Sequence, residues 1–214
     1  MRATRVILLA AVAACGGEGK RPAEVDAGAD PTTQDGSISE DLTDPAPEGT
    51  WMAATCDDSA QWKRELTVAG TNAEVRYAKY PVTDPDCTEP YAVLTMSETY
   101  SVRGAATAAA NAHKIDLAAH STTMVVDGVA ATYYNTIVYC GLKTWKAGVA
   151  QDLAGRTCEE DDGSFVTYAK VGAVHHDIYA IDADQLSFGD ASSGAGTSDG
   201  TRPTKLDTVH LTKQ

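Results

Sequence analysis

The chain has 214 residues, with 30 acidic side chains against 17 basic ones for a formal charge of −13, and 43% hydrophobic but only 7% aromatic residues. That length allows one ordinary domain with appendages, and the hydrophobic share excludes a wholly disordered chain. The acidic balance argues against nucleic-acid binding, which needs a phosphate-neutralising surface, and against adsorption to anionic lipid heads.

Residues 1–14 read as a signal peptide. Arg2 and Arg5 form a positive n-region, and Val6 to Ala14 is an uninterrupted apolar run of nine. Nine residues are too few to cross a bilayer but suit a secretory h-region. Val12-Ala13-Ala14-Cys15 resembles the lipobox of bacterial lipoproteins. The resemblance implies cleavage before Cys15 and a diacylglycerol thioether on it, and several acyl chains on one residue anchor stably. Gly16 rather than an aspartate follows Cys15, so nothing there signals inner-membrane retention. The expected address is a bacterial cell envelope, at the outer membrane.

Residues 15–48 read as a lipidated, acidic tether. From Gly16 to Glu48 there is no aromatic residue, and the acids heavily outnumber Lys20 and Arg21. Such a stretch buries too little apolar surface to offset its ordering entropy, so disorder is expected. A flexible chain of this size spans about 30 Å root-mean-square.

From Gly49 to Gln214 the pattern changes to period two. Trp62, Leu66 and Val68 alternate with Lys63, Glu65 and Thr67; Ala73, Val75 and Tyr77 alternate with Glu74 and Arg76. Ala92, Leu94, Met96, Tyr100 and Val102 form a third apolar face, and His113, Ile115, Leu117 and Ala119 a fourth. One face of each run fits a core and the other fits water, as in half-buried antiparallel strands. Gly70-Thr71-Asn72 makes a hairpin-like turn between two of them. Later strand-like runs cover Phe165 to Ile181, Leu186 to Phe188 after an Asp182-Ala183-Asp184 turn, and Leu206 to Thr212. The stretch Val129 to Cys140 fits either a short helix, through Val129, Tyr133 and Ile137, or a strand, through its β-branched and aromatic content. The fold expected is therefore all-β: one antiparallel barrel, open or closed, of about eight strands with one short helix.

With Cys15 lipidated, Cys56, Cys87, Cys140 and Cys158 remain, in a compartment where disulfides persist. Three connectivities are possible. Sequential pairing, Cys56–Cys87 and Cys140–Cys158, is favoured because each pair then brackets a local hairpin or loop. No CxxC spacing supports zinc.

Scattered positions across residues 49–214 carry a further resemblance. These are Gly49-Thr50-Trp51, Cys56, Asp86-Cys87, Pro90-Tyr91, Cys140-Gly141, Trp145, Gly148, Asp152, Cys158, Leu186, Phe188-Gly189-Asp190 and Arg202-Pro203-Thr204. Together they resemble the secreted or membrane-anchored domain of the adenomatous-polyposis-coli down-regulated family, whose animal members antagonise Wnt signalling. The Gly-x-Trp start is also lipocalin-like, although other lipocalin motifs are not evident. The resemblance implies an open or partly closed antiparallel barrel whose hydrophobic pocket takes a lipid acyl chain. One copy stands here where the animal proteins have two, and a bacterial-style anchor replaces their transmembrane segment. Wnt antagonism is therefore not carried over.

The inward set Trp62, Leu66, Val68, Val75, Tyr77, Leu94, Met96, Tyr100, Ile115 and Leu117 is the candidate pocket lining. Alternation does not distinguish a packed interior from a hollow one. Only two Phe in the chain leave volume to account for, which tilts the expectation towards a cavity or an open sheet. Trp51 and Arg202 are expected to meet where first and last strands adjoin, as a structural cation–π pair.

Catalysis is not expected. His175 and His176 are adjacent, so on a strand they face opposite ways and cannot share a metal; His113, His120 and His210 show no ligand spacing. The acidic turns Glu159-Glu160-Asp161-Asp162-Gly163 and Asp182-Ala183-Asp184 each offer carboxylate oxygens to a weak extracellular Ca²⁺, but neither has EF-hand spacing and the first reading of both is solvated charge. The Gly189–Gly196 stretch is not a nucleophile elbow and reads as a flexible connection. The leading functional expectation is non-catalytic binding of a hydrophobic small molecule, a lipid or fatty acid, with no cofactor. An envelope protein-interaction module is the alternative, and a hydrolase with an unmarked carboxylate site a third.

Overall fold

A computed structural model of the chain describes residues 46–56, 61–107, 109–160 and 163–214. The signal peptide, Cys15, all but the last three residues of the tether, and Asp161 and Asp162 lie outside the described residues.

Alternating apolar and polar side chains produce long antiparallel strands in sequence order. β1 (Gly49–Cys56) pairs with β2 (Gln61–Ala69), β2 with β3 (Asn72–Lys79), β3 with β4 (Ala92–Ala105), and β4 with β5 (His113–Val126). After α1 (Gly128–Ile137) come the short strands β6 (Gln151–Asp152), β7 (Thr157–Glu159) and β8 (Phe165–Thr167). β9 (Val174–Asp182), β10 (Gln185–Phe188) and β11 (Leu211–Lys213) finish the chain. The order β4-β3-β2-β1-β11-β10-β9-β5, with β4 also paired to β5, closes an eight-stranded antiparallel barrel. Closure gives each of the eight barrel strands a neighbour on both sides. β5 shares its second edge between β9, along residues 113–118, and β6, at Thr123 and Met124. The run from Phe165 to Ile181 is two strands, because a turn at Lys170–Ala173 separates β8 from β9. The last strand is shorter than the alternation suggests and starts at Leu211.

A bulge decides which residues of β5 face inward. Ser97 pairs with Ser121 but Glu98 with Ala119, so His120 is the extra residue. Before it Ile115, Leu117 and Ala119 are buried; after it Thr122, Met124 and Val126 are. One inserted residue thus swaps the faces of the strand while the ladder continues.

The ambiguous stretch is a helix. Asp127 caps it, its carboxylate accepting from Ala130 N at 2.6 Å. Its buried face is Ala130, Ala131 and Tyr134, so Val129, Tyr133 and Ile137 form the outward stripe. Tyr134 stacks on Tyr139 (4.2 Å between centroids) and meets the edge of Trp145 (5.2 Å). These rings, with Leu153 and Tyr168, join the barrel's own core. Residues 127–160 and 163–173 therefore form a cap over the end where β3, β4 and β5 meet. The opposite end is closed by Pro47, fully buried, whose carbonyl accepts from Trp51 Nε1 at 2.8 Å.

Both cysteine pairs are bonded as favoured: Cys56–Cys87 ties β1 to the β3–β4 loop, and Cys140–Cys158 ties the end of α1 to β7. Loops of 31 and 18 residues correspond to about 3–4 kcal/mol each on the chain-entropy account.

The expected Trp51–Arg202 contact is not formed. The cation over Trp51 is Lys213 Nζ, 5.2 Å from the ring centroid, brought there by the Trp51–Lys213 register of β1 with β11. Arg202 sits in a loop before β11 and spends its donors on β5 and β9. First and last strands do adjoin, but the cation that the last strand supplies is Lys213.

Candidate functional site

Every one of the ten candidate lining residues lies in or against the barrel core. Leu66, Val68, Val75, Tyr100, Ile115 and Leu117, with Pro47 and Phe188, surround a cavity of about 10 Å³ near the Pro47 end. Tyr77 and Leu94, with Lys79 and Tyr168, line another of about 10 Å³ beneath the cap. Trp62 stacks on Tyr77 at 5.7 Å, and Met96 is buried among them. Each cavity has room for about one water, so neither holds an acyl chain as it stands. Nine Tyr and three Trp in the chain supply much of the bulk that two Phe do not; Trp51, Trp62, Tyr77 and Tyr179 are part of the packed core.

On β2 and β4 the inward face is interrupted by two charged residues, Arg64 and Glu98, and the alternation argument passes over both. Arg64 shares the parity of Trp62 and Leu66 and pairs with Tyr77; burial lowers its pKa, and its Nε has no hydrogen-bond partner. Glu98 stands between Met96 and Tyr100, 7% exposed, in the apolar Pro47-end cavity. Burial alone pushes its pKa up to about 7. Asp177, on β9, is likewise buried and raised to about 7, by burial first, although Ile178 N and Gly189 N donate to its Oδ1.

The cap is latched by another buried polar group. Lys79 Nζ donates to Glu160 Oε2 at 2.8 Å, and Tyr139 OH donates to Glu160 Oε1 at 2.9 Å. Burial opposes the charge on Lys79, but Glu160 outweighs it and holds the ammonium above its ordinary pKa. Burial raises Tyr139 and Tyr168 as well, so both phenols stay protonated.

Outside this latch, α1 and the β7–β8 hairpin enclose a cleft of about 490 Å³. Its walls include Tyr133, Ile137, Val138, Tyr139, Glu159, Glu160 and Phe165. Tyr133 is 51% exposed, Ile137 46% and Phe165 68%. The floor is strained: Val138 (φ 58°) and Cys140 (φ 54°) both adopt left-handed backbone, costly for any side chain and most so for a β-branched one. The Cys140–Cys158 bond holds the two walls together. A volume in the range of small-molecule sites, apolar side chains left in water, and stored backbone strain coincide here.

Other residues with chemical potential are occupied structurally. Asp116 accepts from Arg103 Nε (2.8 Å), from His176 Nδ1 (2.7 Å) and from Arg202 Nη2. Burial works against its charge, but these bonds keep its pKa below the usual carboxylate range. His175 faces the other way, and burial lowers it to about 4, so its 3.8 Å approach to Asp177 joins a neutral ring to the carboxyl at neutral pH. His113 packs against Tyr179, and His120 Nε2 bonds Thr99 Oγ1. Ser187 Oγ and His210 Nδ1 are 2.7 Å apart, but Ser187 is buried on β10 and no carboxylate hydrogen bond orients His210 among the described residues. The Gly189–Gly196 connection is tied down rather than loose: Asp190 holds Ser192, and Ser193 Oγ accepts from Thr204 N and Lys205 N. A Cβ on Gly194 would stand 2.3 Å from Arg202 O, so the loop demands glycine there.

Among the described residues, no group of three or more His, Cys, Asp or Glu could hold a metal ion, and no helix is long and apolar enough to cross a membrane. No protein-family model matches the chain, and no curated protein matches it.

Proposed function

We propose that this barrel is the non-catalytic binding domain of a bacterial envelope lipoprotein, held to the outer membrane by a lipid on Cys15, and that it binds a hydrophobic small molecule in the cap cleft. The observation that carries the reading is the cleft itself: about 490 Å³ beside exposed Tyr133, Ile137 and Phe165, against about 10 Å³ in either interior cavity. Burying those side chains against a ligand contributes about 25 cal/mol per Å² of apolar surface. The lipid-type ligand suggested by the family resemblance thus lies on the cap rather than threaded through the barrel.

Tyr133→Asp places a charge in the cleft at a half-exposed position of α1, at the loss of one tilted ring contact with Tyr134 (6.0 Å between centroids). It is expected to weaken binding of a fluorescent alkyl probe by about tenfold or more, for the loss of ~1.4 kcal/mol or more of apolar contact. Unchanged titration curves would refute the cleft as the site. For the address, Cys15→Ala should move the full chain from the membrane to the soluble fraction; continued sedimentation with membranes would refute lipidation.

A second reading has its own observation. Val129 (80% exposed), Tyr133 and Ile137 recur every four residues along one face of α1, the spacing of a helix surface that meets another protein. Under that reading Tyr133→Asp abolishes a crosslink to one discrete envelope partner while probe binding is unaffected.

A further inference from the structure

The head group of the cleft's ligand is legible from the charges that line it, on the premise that the cleft is the ligand site. Among the described residues, two carboxylates belong to the lining, Glu159 and Glu160, and no basic residue does. Glu160 is already compensated, by Lys79 Nζ at 2.8 Å and by the Tyr139 hydroxyl at 2.9 Å. Glu159 is exposed and, among the described residues, has neither an ion pair nor a hydrogen bond from a side chain. Among the described residues the cleft therefore presents one carboxylate, that of Glu159, without a compensating partner.

The β7–β8 ladder fixes what stands beside that charge. Glu159 pairs directly with Phe165, and directly opposed residues of an antiparallel pair project from the same face with Cβ atoms about 5 Å apart. Phe165, 68% exposed, thus offers its ring next to the carboxylate. A carboxylate beside an aromatic face attracts a cation twice, by charge and by the ring quadrupole. Across the cleft, Tyr133 and Ile137 offer an apolar wall for a hydrocarbon body. A fatty-acid head would meet Glu159 as a like charge, under the field of a chain whose net charge is −13.

We propose that the ligand is a cationic amphiphile: an ammonium head held by Glu159 and the Phe165 face, with an alkyl or aromatic body against Tyr133 and Ile137.

The test uses three probes with one chain length and different heads, dodecylammonium, dodecanol and dodecanoate. Each is titrated below its micellar concentration into the full chain at physiological ionic strength, followed by calorimetry. Dodecylammonium should bind one-to-one and about tenfold tighter than dodecanol, with dodecanoate weakest. Glu159→Gln should erase the ammonium preference, so that dodecylammonium binds no tighter than dodecanol does to the same variant; the side chain is exposed, so the fold is kept. Two results overturn the head-group assignment while leaving the cleft as the site: dodecanoate binding as tightly as dodecylammonium, or an ammonium preference that survives Glu159→Gln and vanishes in high salt, which marks diffuse attraction to the acidic surface. If none of the three binds, or if Tyr133→Asp leaves all three unaffected, the cleft reading falls and this assignment with it.

Discussion

Glu98→Gln is expected to make the domain more stable above neutral pH and to leave it nearly unchanged below pH ~4.5. Glu98 sits inside the barrel among Leu66, Val68, Val75, Ile115 and Leu117, and burial raises its pKa from 4.5 to about 7. The sign follows from the proton count. Between the two values the folded state holds a proton that the unfolded state has released, so stability falls as pH rises through that window. Below it both states are protonated and no penalty exists; above it the penalty is complete, on the order of 3 kcal/mol as an upper figure. The groups that face or neighbour Glu98 do not rescue its charge. Asp177 on β9 has its own pKa raised to about 7, and Tyr100, beside it on β4, has its hydroxyl bonded to Glu48. Asp177 adds a second contribution of the same sign, so the variant should keep part of the wild-type slope. Asp84, Asp116, Asp190 and Asp199 have lowered pKa values, and their contribution is lost only on acidification below about 4. Urea melts at intervals from pH 4.5 to 8.5 separate the windows. Stability curves of the wild type and the Glu98→Gln variant that run parallel would exclude Glu98 as the titrating group.

The same residue shows what the sequence could and could not disclose. Strand existence was legible because alternation survives any partner: Ala73, Val75 and Tyr77 read as inward before their neighbours were known, and they are. Arg64 and Glu98 share that parity, yet a charged residue on an apolar face looks like a break in the pattern rather than a buried charge. Their burial follows from barrel closure, a long-range event. The bulge at His120 was invisible for a related reason. A one-residue slip is defined by what lies opposite, and the inward set of β5 changes from Leu117 to Thr122 and Met124 only because Glu98 pairs with Ala119. The cap escaped prediction in another way. Val129, Tyr133 and Ile137 gave the helical period, but the core took Ala130, Ala131 and Tyr134 instead, leaving the larger apolar stripe in water. That inversion creates the cleft. The sequential disulfides were readable because each links segments close in the chain, whereas the place of Arg202 depends on β5, 87 residues away, as well as on β9.

Arg202→Met is expected to destabilise the domain by about 3–5 kcal/mol, the range for removing one partner from a buried charge network. The guanidinium is buried, and each of its nitrogens is used. Nη1 donates to Ile115 O and to Asp177 O, both at 2.7 Å; Nη2 donates to Asp116 Oδ1; Nε donates to Asp199 Oδ1 at 2.7 Å. Ile115 and Asp177 are register partners, so one side chain clamps the β5–β9 seam and fastens the 199–201 turn across it. Methionine fills much of the volume but leaves two strand carbonyls without their donor and Asp116 with only Arg103 and His176. Unmade buried hydrogen bonds carry the desolvation penalty of each abandoned group. Arg202→Lys should recover little, because one ammonium does not reproduce a planar fork that reaches both carbonyls and both carboxylates. For a domain of this size the loss corresponds to a fall in Tm of about 10 °C, with β5 and β9 amides near Ile115 and Asp177 exchanging with solvent before those of β2 and β3. A Tm within about 2 °C of wild type, or rescue by lysine, would show that the seam is held by its ladder alone and that Arg202 merely covers it.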